Sequence, residues 1–594
     1  MKYKYDIYNA LILTFVVIFG AIRNISLPGL YADAINPDYF VNYFFHNTFN
    51  NIAWIYPYIG IPIFGQPYHG NIPFFIGTPI YLIFGSTIEA QRMLNAFYGV
   101  VLVILNYLLL VRIIDRRKIA FGVTLGLATN IALISAFRTQ MYIIIPGACL
   151  ILAAIYLLVV KDGQLCKKKI FLSGVLSGIA FYSYFVYLFY VPAFLAFIYL
   201  NFKKNIRVCL NWLLGFCIPA SLYLIGYLGI FFKTFFSGNF KGTPGILFSI
   251  VIISFLLAIS LPVYKICKDE DWLPKEKFIY KRYIFSFIGS TLIGIGYLFY
   301  SGYITKIISA VANWNNAAIH MGSKPIPLFE KVIMNIKLFF GAISNSGNEI
   351  RIFKEITSRW NSLWLIIIIL SIIIAFYIII RKKIFFQKEV KFMMFFLGSI
   401  VVFFICCVPL ATNLQANHYF SIIPLSFMIL GICGNIIYNY LSSKYSKICV
   451  IKRIGYLLIC FLVVFNFINQ GFFQYQLKYT GGRGYYSEQI NILSSQAVVD
   501  RKNGKNELYI FPEWGFMMGF SFLTENSVPY IIDINVDKMK ELKANDRNVV
   551  LCFWNPQNQE KYMEIINQAG MNVNDIKFWR ERDGNIAFYS IEAN

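Results

Sequence analysis

The sequence predicts a polytopic α-helical membrane protein of about 13 transmembrane helices with a small C-terminal α/β domain. Of its 594 residues, 58% are apolar and only 14% are charged, whereas a soluble protein carries roughly a quarter charged residues. Apolar runs of about 20 residues, the length that crosses a bilayer, recur along most of the chain. Lysine and arginine cluster in short segments between these runs.

The apolar runs define the predicted spans. They cover residues 7–23, 91–111, 119–136, 141–160, 170–184, 186–200, 209–231, 244–264, 283–303, 361–380, 392–411, 418–440 and 454–473. The stretch 170–200 is too long for one crossing, so we expect a hairpin that turns near Tyr184. The run 74–86 is too short to cross and is expected to lie at the interface or to re-enter.

The basic segments predict the orientation. Threading the chain in alternate directions brings the clusters at 2–4, 112–118, 161–169, 203–207, 265–282, 381–391 and 444–453 to one side. Because cytoplasmic loops retain lysine and arginine, this side is predicted to be cytoplasmic. The N-terminus is then inside and the C-terminus outside. The net charge of +24 reflects these loops; no basic helix suited to nucleic acid occurs, so no nucleic-acid partner is expected.

This orientation divides the chain into a membrane domain, 1–477, and an extracytoplasmic α/β domain, 478–594. The membrane domain has two long outer loops, 24–90 and 304–360, and the second contains an amphipathic helical pattern from Leu328 to Phe340. In the tail, strands are predicted at 507–511, 529–533, 548–554, 575–579 and 586–591, and helices at 487–500, 535–543 and 557–569. Their alternation predicts a partly parallel sheet, and no nucleotide-binding glycine motif is present.

Ionisable residues are almost absent from the predicted spans, which disfavours a proton-relaying transporter. The outer side differs. Apart from the tail, its acids are Asp33, Asp38, Glu89, Glu330, Glu349 and Glu355, and all the histidines of the chain lie there as well, at His46, His69, His320 and His418. Such a distribution suits an enzyme that acts on a membrane-embedded, phospholipid-like substrate.

Asp33 and Asp38 are the candidate catalytic residues. Both lie in the segment LPGLYADAINPDYF, shortly after the first span. A carboxylate near the bilayer surface among aromatic residues can hold a raised pKa and act as a general base toward a hydroxyl. The alternative is that Asp33 caps a short helix and that the segment 36–38 forms a turn.

These features resemble the GT-C superfamily of glycosyltransferases that use polyprenyl-phosphate sugars, which includes protein O-mannosyltransferases and lipid A aminoarabinose transferases. The resemblance rests on the acidic motif after the first span, on QPYHGNIPFFIGTPIYLIFGSTIEAQRMLNAFYGV at 66–100, and on NHYFSIIPLS at 417–426. ELYIFPEWGFMMGFSFLT and the terminal RDGNIAFYSI are similar to the outer domain of some members. Many relatives have adjacent Asp and Glu in the first loop, whereas Ala34 follows Asp33 here. Either Asp33 acts alone or Asp38 supplies the second carboxylate.

The resemblance implies the site chemistry. An acceptor hydroxyl attacks the sugar carbon opposite the lipid phosphate and inverts it, Asp33 is the first candidate base, and cations stabilise the departing phosphate. The candidate phosphate-binding residues are Arg92, Arg138, Lys306 and His418, and the candidate substrate-binding residues are Tyr31, Tyr68, His69 and His320. The alternative is a purely structural role, in which the basic residues are snorkelling membrane anchors and the aromatic residues form an interfacial belt. No cofactor is expected, although a divalent cation is left open.

The predicted function is therefore transfer of a sugar, at the extracytoplasmic face of the cell membrane, from a polyprenyl-phosphate donor to a glycan, lipid or protein acceptor. Two alternatives remain. A non-enzymatic translocator of lipid-linked saccharides would need a cationic cavity but no surface carboxylate beside a phosphate site. A polysaccharide polymerase would be expected to have arginine-rich outer loops, and the loop 304–360 contains only Arg351 and Arg359.

Overall fold

The computed structural model of the chain describes residues 2–35, 38, 41–42, 64–66, 69–139, 144–159, 166–202, 206–235, 327–357, 359–408, 414–444 and 448–594. Among the described residues up to 235, the α-helices include α1 (Lys2–Ile22), α2 (Ala32–Ile35), α3 (Ile72–Phe84), α4 (Ile88–Ile114), α5 (Arg117–Thr129), α6 (Ile131–Ala136), α7 (Ile145–Leu158), α8 (Lys167–Ser183), α9 (Val191–Asn201) and α10 (Ile206–Phe235). They are followed by α11 (Leu328–Ile343), α12 (Ser346–Phe353), α13 (Leu363–Lys382), α14 (Lys388–Cys407), α15 (Ile422–Lys444) and α16 (Ile448–Thr480). The predicted spans 244–264 and 283–303 lie outside the described residues.

The protein is a multi-pass membrane protein. Six helices in the described part of the chain are long and apolar enough to cross a bilayer: Lys4–Ile22, Ile88–Ile114, Leu363–Lys382, Lys388–Cys407, Ala416–Lys444 and Gly455–Thr480. Their lipid-accessible surfaces are rich in exposed isoleucine, leucine and phenylalanine, of which Leu457 is 69% exposed. Water cannot satisfy the backbone in a bilayer, so helices that bond internally are the conformation these runs adopt.

Residues 1–152, 337–400 and 415–594 form one compact unit. In it α4 packs against α1, α5 and α15, while α13 packs against α15 and α5 against α16. One end of this bundle, the basic end, joins helix termini by polar contacts: Arg117 pairs with Asp6 at 2.8 Å, and Arg116 Nη2 donates to Asn439 Oδ1 at 2.7 Å. At the opposite end, the α/β end, α1 finishes, α4 begins and α16 leads into the C-terminal region.

The predicted span 119–136 is interrupted. α5 ends at Thr129, and Asn130 adopts an extended backbone conformation (φ −68°, ψ 130°) before α6 begins. The Asn130 side chain accepts a hydrogen bond from the backbone N–H of Ala132 at 2.9 Å, which caps α6. The sequence contained this signal, since asparagine is a preferred N-cap residue.

The C-terminal residues form a five-stranded mixed sheet. Its strands follow the small pair β1 (Phe64–Gln66) and β2 (His69–Gly70) and are β3 (Glu507–Ile510), β4 (Tyr530–Ile531), β5 (Asn548–Phe553), β6 (Val573–Arg580) and β7 (Ile586–Ala593). The order is β4-β3-β5-β7-β6; β3 is parallel to β4 and β5, whereas β7 is antiparallel to β5 and β6.

Helices cover both faces of this sheet. Helices α17 (Gln489–Lys502) and α18 (Met517–Leu523) contribute to a core with Phe511 and Phe588 on one face. Helices α19 (Val536–Ala544) and α20 (Gln559–Gln568) pack with Leu551 and Ile591 on the other face. Alternate strand residues therefore enter different cores, as the pleat of a strand requires.

The second compact unit, residues 153–336 and 401–414, includes α8, α9 and α10. α8 ends at Ser183, and a 3₁₀ helix (Phe185–Tyr190) leads into α9, so the chain changes conformation at Tyr184, near the predicted turn. α8 and α10 approach backbone to backbone. A Cβ atom at Gly174 would lie 2.1 Å from Trp212 O, and one at Gly178 would lie 2.3 Å from Phe216 O. Small residues spaced by four permit this approach in membranes.

Candidate functional site

The loop that follows α1 is held against the bundle by two buried arginines. Arg138 donates from Nη1 to Asn24 O and Leu27 O at 2.6 and 2.5 Å, and from Nη2 to Ala21 O at 2.9 Å. Arg92, in the first turns of α4, donates to the carbonyl oxygens of Ile25 and Pro28. Both side chains are buried. Five-donor guanidinium groups can bind several carbonyl oxygens at once, so they fix this turn more firmly than lysine would.

The other side of the same loop contacts the C-terminal α/β region. The backbone N–H of Gly29 donates to Tyr486 O at 2.8 Å, and the N–H of Leu30 donates to Asn491 Oδ1 at 3.1 Å. The approach at Gly29 is so close that a Cβ atom there would lie 1.9 Å from Ser487 O. The loop is therefore enclosed between the bundle and the α/β region.

Asp33 lies within this enclosed segment, in α2. The neighbouring carbonyl of Ala34 accepts a hydrogen bond from Gln91 Nε2 at 2.8 Å, so the α2 backbone lies beside the start of α4. The side chain of Asp33 is outside the described part of the structure. Its predicted approach to Arg92 consequently remains a prediction.

Asp38 is fully buried, and its surroundings are described. Tyr81, in α3, donates from its hydroxyl to Asp38 Oδ2 at 2.8 Å. Oδ1 is buried as well and has no hydrogen-bond partner among the described residues. Burial raises the pKa of the carboxyl from 3.8 to about 7, while the hydrogen bond from Tyr81 opposes this shift. Asp38 therefore has one oxygen fixed by Tyr81, one buried oxygen without a partner among the described residues, and a proton affinity suited to transfer near neutral pH.

One face of α4 carries further buried polar groups, of which Tyr98 lies near this carboxyl. Asn95 and Tyr98 follow Gln91 at helical spacing and are buried. Asn95 Nδ2 donates to Phe137 O at 3.3 Å, whereas Asn95 Oδ1 and the Tyr98 hydroxyl lack partners among the described residues. Tyr98 lies close enough to Asp38 for the two to interact electrostatically. A ligand that hydrogen-bonds to either atom would remove the free-energy cost of leaving it unpaired.

The other predicted site residues are distributed differently. His69 is buried in β2 with Nδ1 3.1 Å from Gly70 O; burial lowers its pKa to about 4, so its ring is neutral at pH 7. Tyr31 stacks on Tyr485 with ring centroids 5.6 Å apart, facing the α/β region. His418 Nδ1 accepts from the backbone N–H of Gln415 at 3.0 Å. Tyr68, Lys306 and His320 lie outside the described residues.

Tyr81, Asn95 and Tyr98 were not identified from the sequence. Each lies in an apolar helical run, where tyrosine and asparagine are compatible with a helix core or an interfacial belt. The significance of Tyr81 depends on its contact with Asp38, which is 43 residues away along the chain, and that of Tyr98 on its proximity to the same carboxyl. As for metals, no group of three or more His, Cys, Asp or Glu side chains suited to holding an ion occurs in the part of the chain that the structure describes.

No family model matches the sequence, and no curated protein matches it. In structure the chain is similar to ArnT from Cupriavidus metallidurans bound to undecaprenyl phosphate, with a TM-score of 0.40 and 12% identity over 99% of this chain and 97% of that one. It is also similar to the Archaeoglobus fulgidus oligosaccharyltransferase in complex with Zn and sulfate, with a TM-score of 0.44 and 13% identity over 98% and 72%. Both neighbours are GT-C membrane glycosyltransferases, the superfamily that the sequence resembles.

Proposed function

We propose that the chain is a membrane glycosyltransferase that moves a sugar from a polyprenyl-phosphate donor to an acceptor hydroxyl, with Asp38 as the general base. The observation that supports this proposal is the Asp38 carboxyl, which is buried, anchored through Oδ2 by Tyr81 and without a described partner at Oδ1. Its pKa of about 7 allows it to be deprotonated at neutral pH and still to accept a proton readily.

The reaction has a simple balance. The acceptor hydroxyl oxygen forms a bond to the anomeric carbon of the sugar while Asp38 Oδ1 takes the hydroxyl proton. The bond between that carbon and the phosphate oxygen breaks, and its electron pair leaves on the polyprenyl phosphate. Attack from the face opposite the phosphate inverts the carbon. Tyr98 is placed to bond the acceptor, because its buried hydroxyl lies near Asp38 and has no described partner.

Arg92 and Arg138 are the candidate partners of the departing phosphate. Both guanidinium groups are buried, both reach the segment 21–28, and neither forms an ion pair with a described carboxylate. Cations held in a low-dielectric environment stabilise negative charge that develops on a leaving group. Lys306 and His418 remain further candidates for this role.

The site lies at the α/β end, opposite the basic end of the bundle. Since lysine and arginine are retained in cytoplasmic loops, this arrangement supports an extracytoplasmic site. We assign residues 1–477 to the membrane domain and 478–594 to an accessory α/β domain that faces the same side. The accessory domain contacts the first loop at Gly29 and Leu30, a position suited to acceptor recognition.

The test is transfer of a radiolabelled sugar from a polyprenyl phosphate by the purified full-length protein in liposomes. Asp38→Asn keeps the shape of the side chain and the contact with Tyr81 but removes the proton acceptor. We expect kcat to fall roughly 100-fold or more, while donor binding largely survives. Asp115→Asn is the matched control, because Asp115 caps the opposite end of α4, where asparagine suits the left-handed backbone (φ 51°).

Two outcomes would contradict the proposal, one in the identity of the base and the other in the transfer reaction itself. Full transfer activity in Asp38→Asn, together with its loss in Asp33→Asn, would return the role of base to Asp33. Absence of transfer by the unmodified protein with a panel of polyprenyl-phosphate sugars, despite tight binding of the lipid, would favour a translocator.

A further inference from the structure

A polar cavity lies at the basic end of the bundle, remote from the candidate active site. It is formed where α13 ends, α14 begins and α15 ends, and its volume is about 300 Å³. Its polar lining consists of Lys382, Gln387, Glu389, Asn435, Asn439 and Ser443. The cavity has the size of a small polar group and lies at the level where three membrane helices meet their connecting loops.

Two opposite charges line this cavity without neutralising each other. Neither Lys382 nor Glu389 forms an ion pair with a residue in the described ranges. Lys382 is exposed, and its ammonium group lies 5.7 Å from the ring centroid of Tyr440, a weak interaction that leaves the group able to bind an anion. A ligand with one anionic and one cationic group would satisfy both side chains.

Asn435 provides a hydrogen-bond acceptor in one part of the cavity. This side chain is only 2% exposed, and its Oδ1 atom has no hydrogen-bond partner among the described residues. The nearby Asn439 differs, since its Oδ1 accepts from Arg116 Nη2 at 2.7 Å. An unsatisfied buried acceptor favours a ligand that donates a hydrogen bond, because leaving it unpaired costs free energy.

The surroundings indicate where such a ligand comes from. Phe385 and Phe386, in the connection between α13 and α14, are 50% and 87% exposed, and Ile380 in the last turn of α13 is 61% exposed. In a membrane protein, apolar side chains at the end of a span face lipid, and polar pockets between helices at this level accommodate lipid headgroups.

We propose that this cavity binds the headgroup of a zwitterionic phospholipid that carries a primary ammonium group, such as phosphatidylethanolamine. The phosphate lies toward Lys382. The ammonium group lies toward the Glu389 carboxylate and donates a hydrogen bond to Asn435 Oδ1. A quaternary ammonium group has no N–H to donate, so a choline headgroup satisfies only the charges, and a glycerol headgroup lacks the cation.

The experiment is native mass spectrometry of the delipidated full-length protein with short-chain lipids that differ only in headgroup. We expect phosphatidylethanolamine to bind more tightly than phosphatidylcholine, and phosphatidylglycerol most weakly. Glu389→Gln should remove most of the preference for phosphatidylethanolamine over phosphatidylglycerol. Lys382→Gln should weaken every phospholipid by about two- to fivefold, the effect of losing one partly exposed charge pair.

Lys383→Gln is the matched control, since Lys383 is exposed, adjacent in sequence and not part of the cavity lining. It should leave all three affinities unchanged. Equal binding of the three lipids, or identical effects of Lys382→Gln and Lys383→Gln, would overturn the proposal. Tighter binding of phosphatidylglycerol than of phosphatidylethanolamine would also overturn it and would indicate an anionic-lipid site.

Discussion

The buried carboxyl of Asp38 makes a quantitative prediction about pH. Its pKa rises from 3.8 to about 7 on folding because burial disfavours the charged form. Between these two values the folded protein holds a proton that the unfolded chain has lost. The contribution of this carboxyl to the free energy of unfolding is therefore fully present below pH 3.8. It falls as the pH rises and is lost once the pH passes about 7. A difference of about three pH units corresponds to on the order of 4 kcal/mol.

The perturbation that isolates this effect is Asp38→Asn, which cannot ionise. As the pH is raised from 4 to 8, the free energy of unfolding of the variant should increase relative to that of the unmodified protein. The increase should approach on the order of 4 kcal/mol. The assay is the unfolding midpoint of both proteins in detergent, followed by intrinsic tryptophan fluorescence at several pH values. The kcat of the unmodified protein should rise with pH through an apparent pKa of about 7, since only the deprotonated base is active.

A constant stability difference between the two proteins from pH 4 to 8 would refute the argument. It would mean that Asp38 ionises in the folded protein as it does in water. A Tyr81→Phe variant provides a directional check. Removing a hydrogen bond to the charged form raises the Asp38 pKa further, so the rise in kcat should shift to higher pH.

Two further predictions concern the enclosed loop. Arg138→Lys should lower the unfolding midpoint by several degrees, because one ammonium group cannot satisfy all the carbonyl oxygens that the guanidinium binds. Arg116→Lys at the exposed basic end is the control. Equal midpoints of the two variants would show that the Arg138 contacts do not stabilise the loop. Gly29→Ala should destabilise the contact with the α/β region and speed proteolysis between them, because its Cβ would overlap Ser487 O. Gly398→Ala, with no atom within 4 Å of the added Cβ, should be tolerated, and equal proteolysis rates in the two variants would contradict the predicted overlap.

The elements that the sequence predicts best are those with a strong local pattern. Each strand predicted between 507 and 591 overlaps a strand of the structure, because alternating or short apolar runs bounded by turn residues are a local signal. The helix predicted near 328–340 is present as α11 for the same reason. The break at Asn130 was missed because an apolar run of adequate length hides a single capping residue.

The candidate site was only partly accessible to sequence reasoning. Asp38 was selected because acidic residues are scarce in the membrane domain and cluster after the first span. Which of Asp33 and Asp38 has the environment of a base depends on Tyr81 and Tyr98, whose proximity is created by packing of α3 and α4 around the loop. No local pattern encodes that proximity, and the contacts of Arg92 with the carbonyl oxygens of Ile25 and Pro28 were equally hidden.

The contacts of Arg92 and Arg138 with the loop are physically compatible with the phosphate-binding role proposed for them. Backbone carbonyl oxygens are neutral, so the contacts of Arg92 with Pro28 and of Arg138 with Leu27 satisfy N–H groups without cancelling charge. Arg138 Nε still has no partner among the described residues. Two buried positive charges near the same turn repel each other, and an anionic ligand would relieve this repulsion. In the proposed reaction this positive potential near the segment 21–28 would stabilise the phosphate that departs from the sugar.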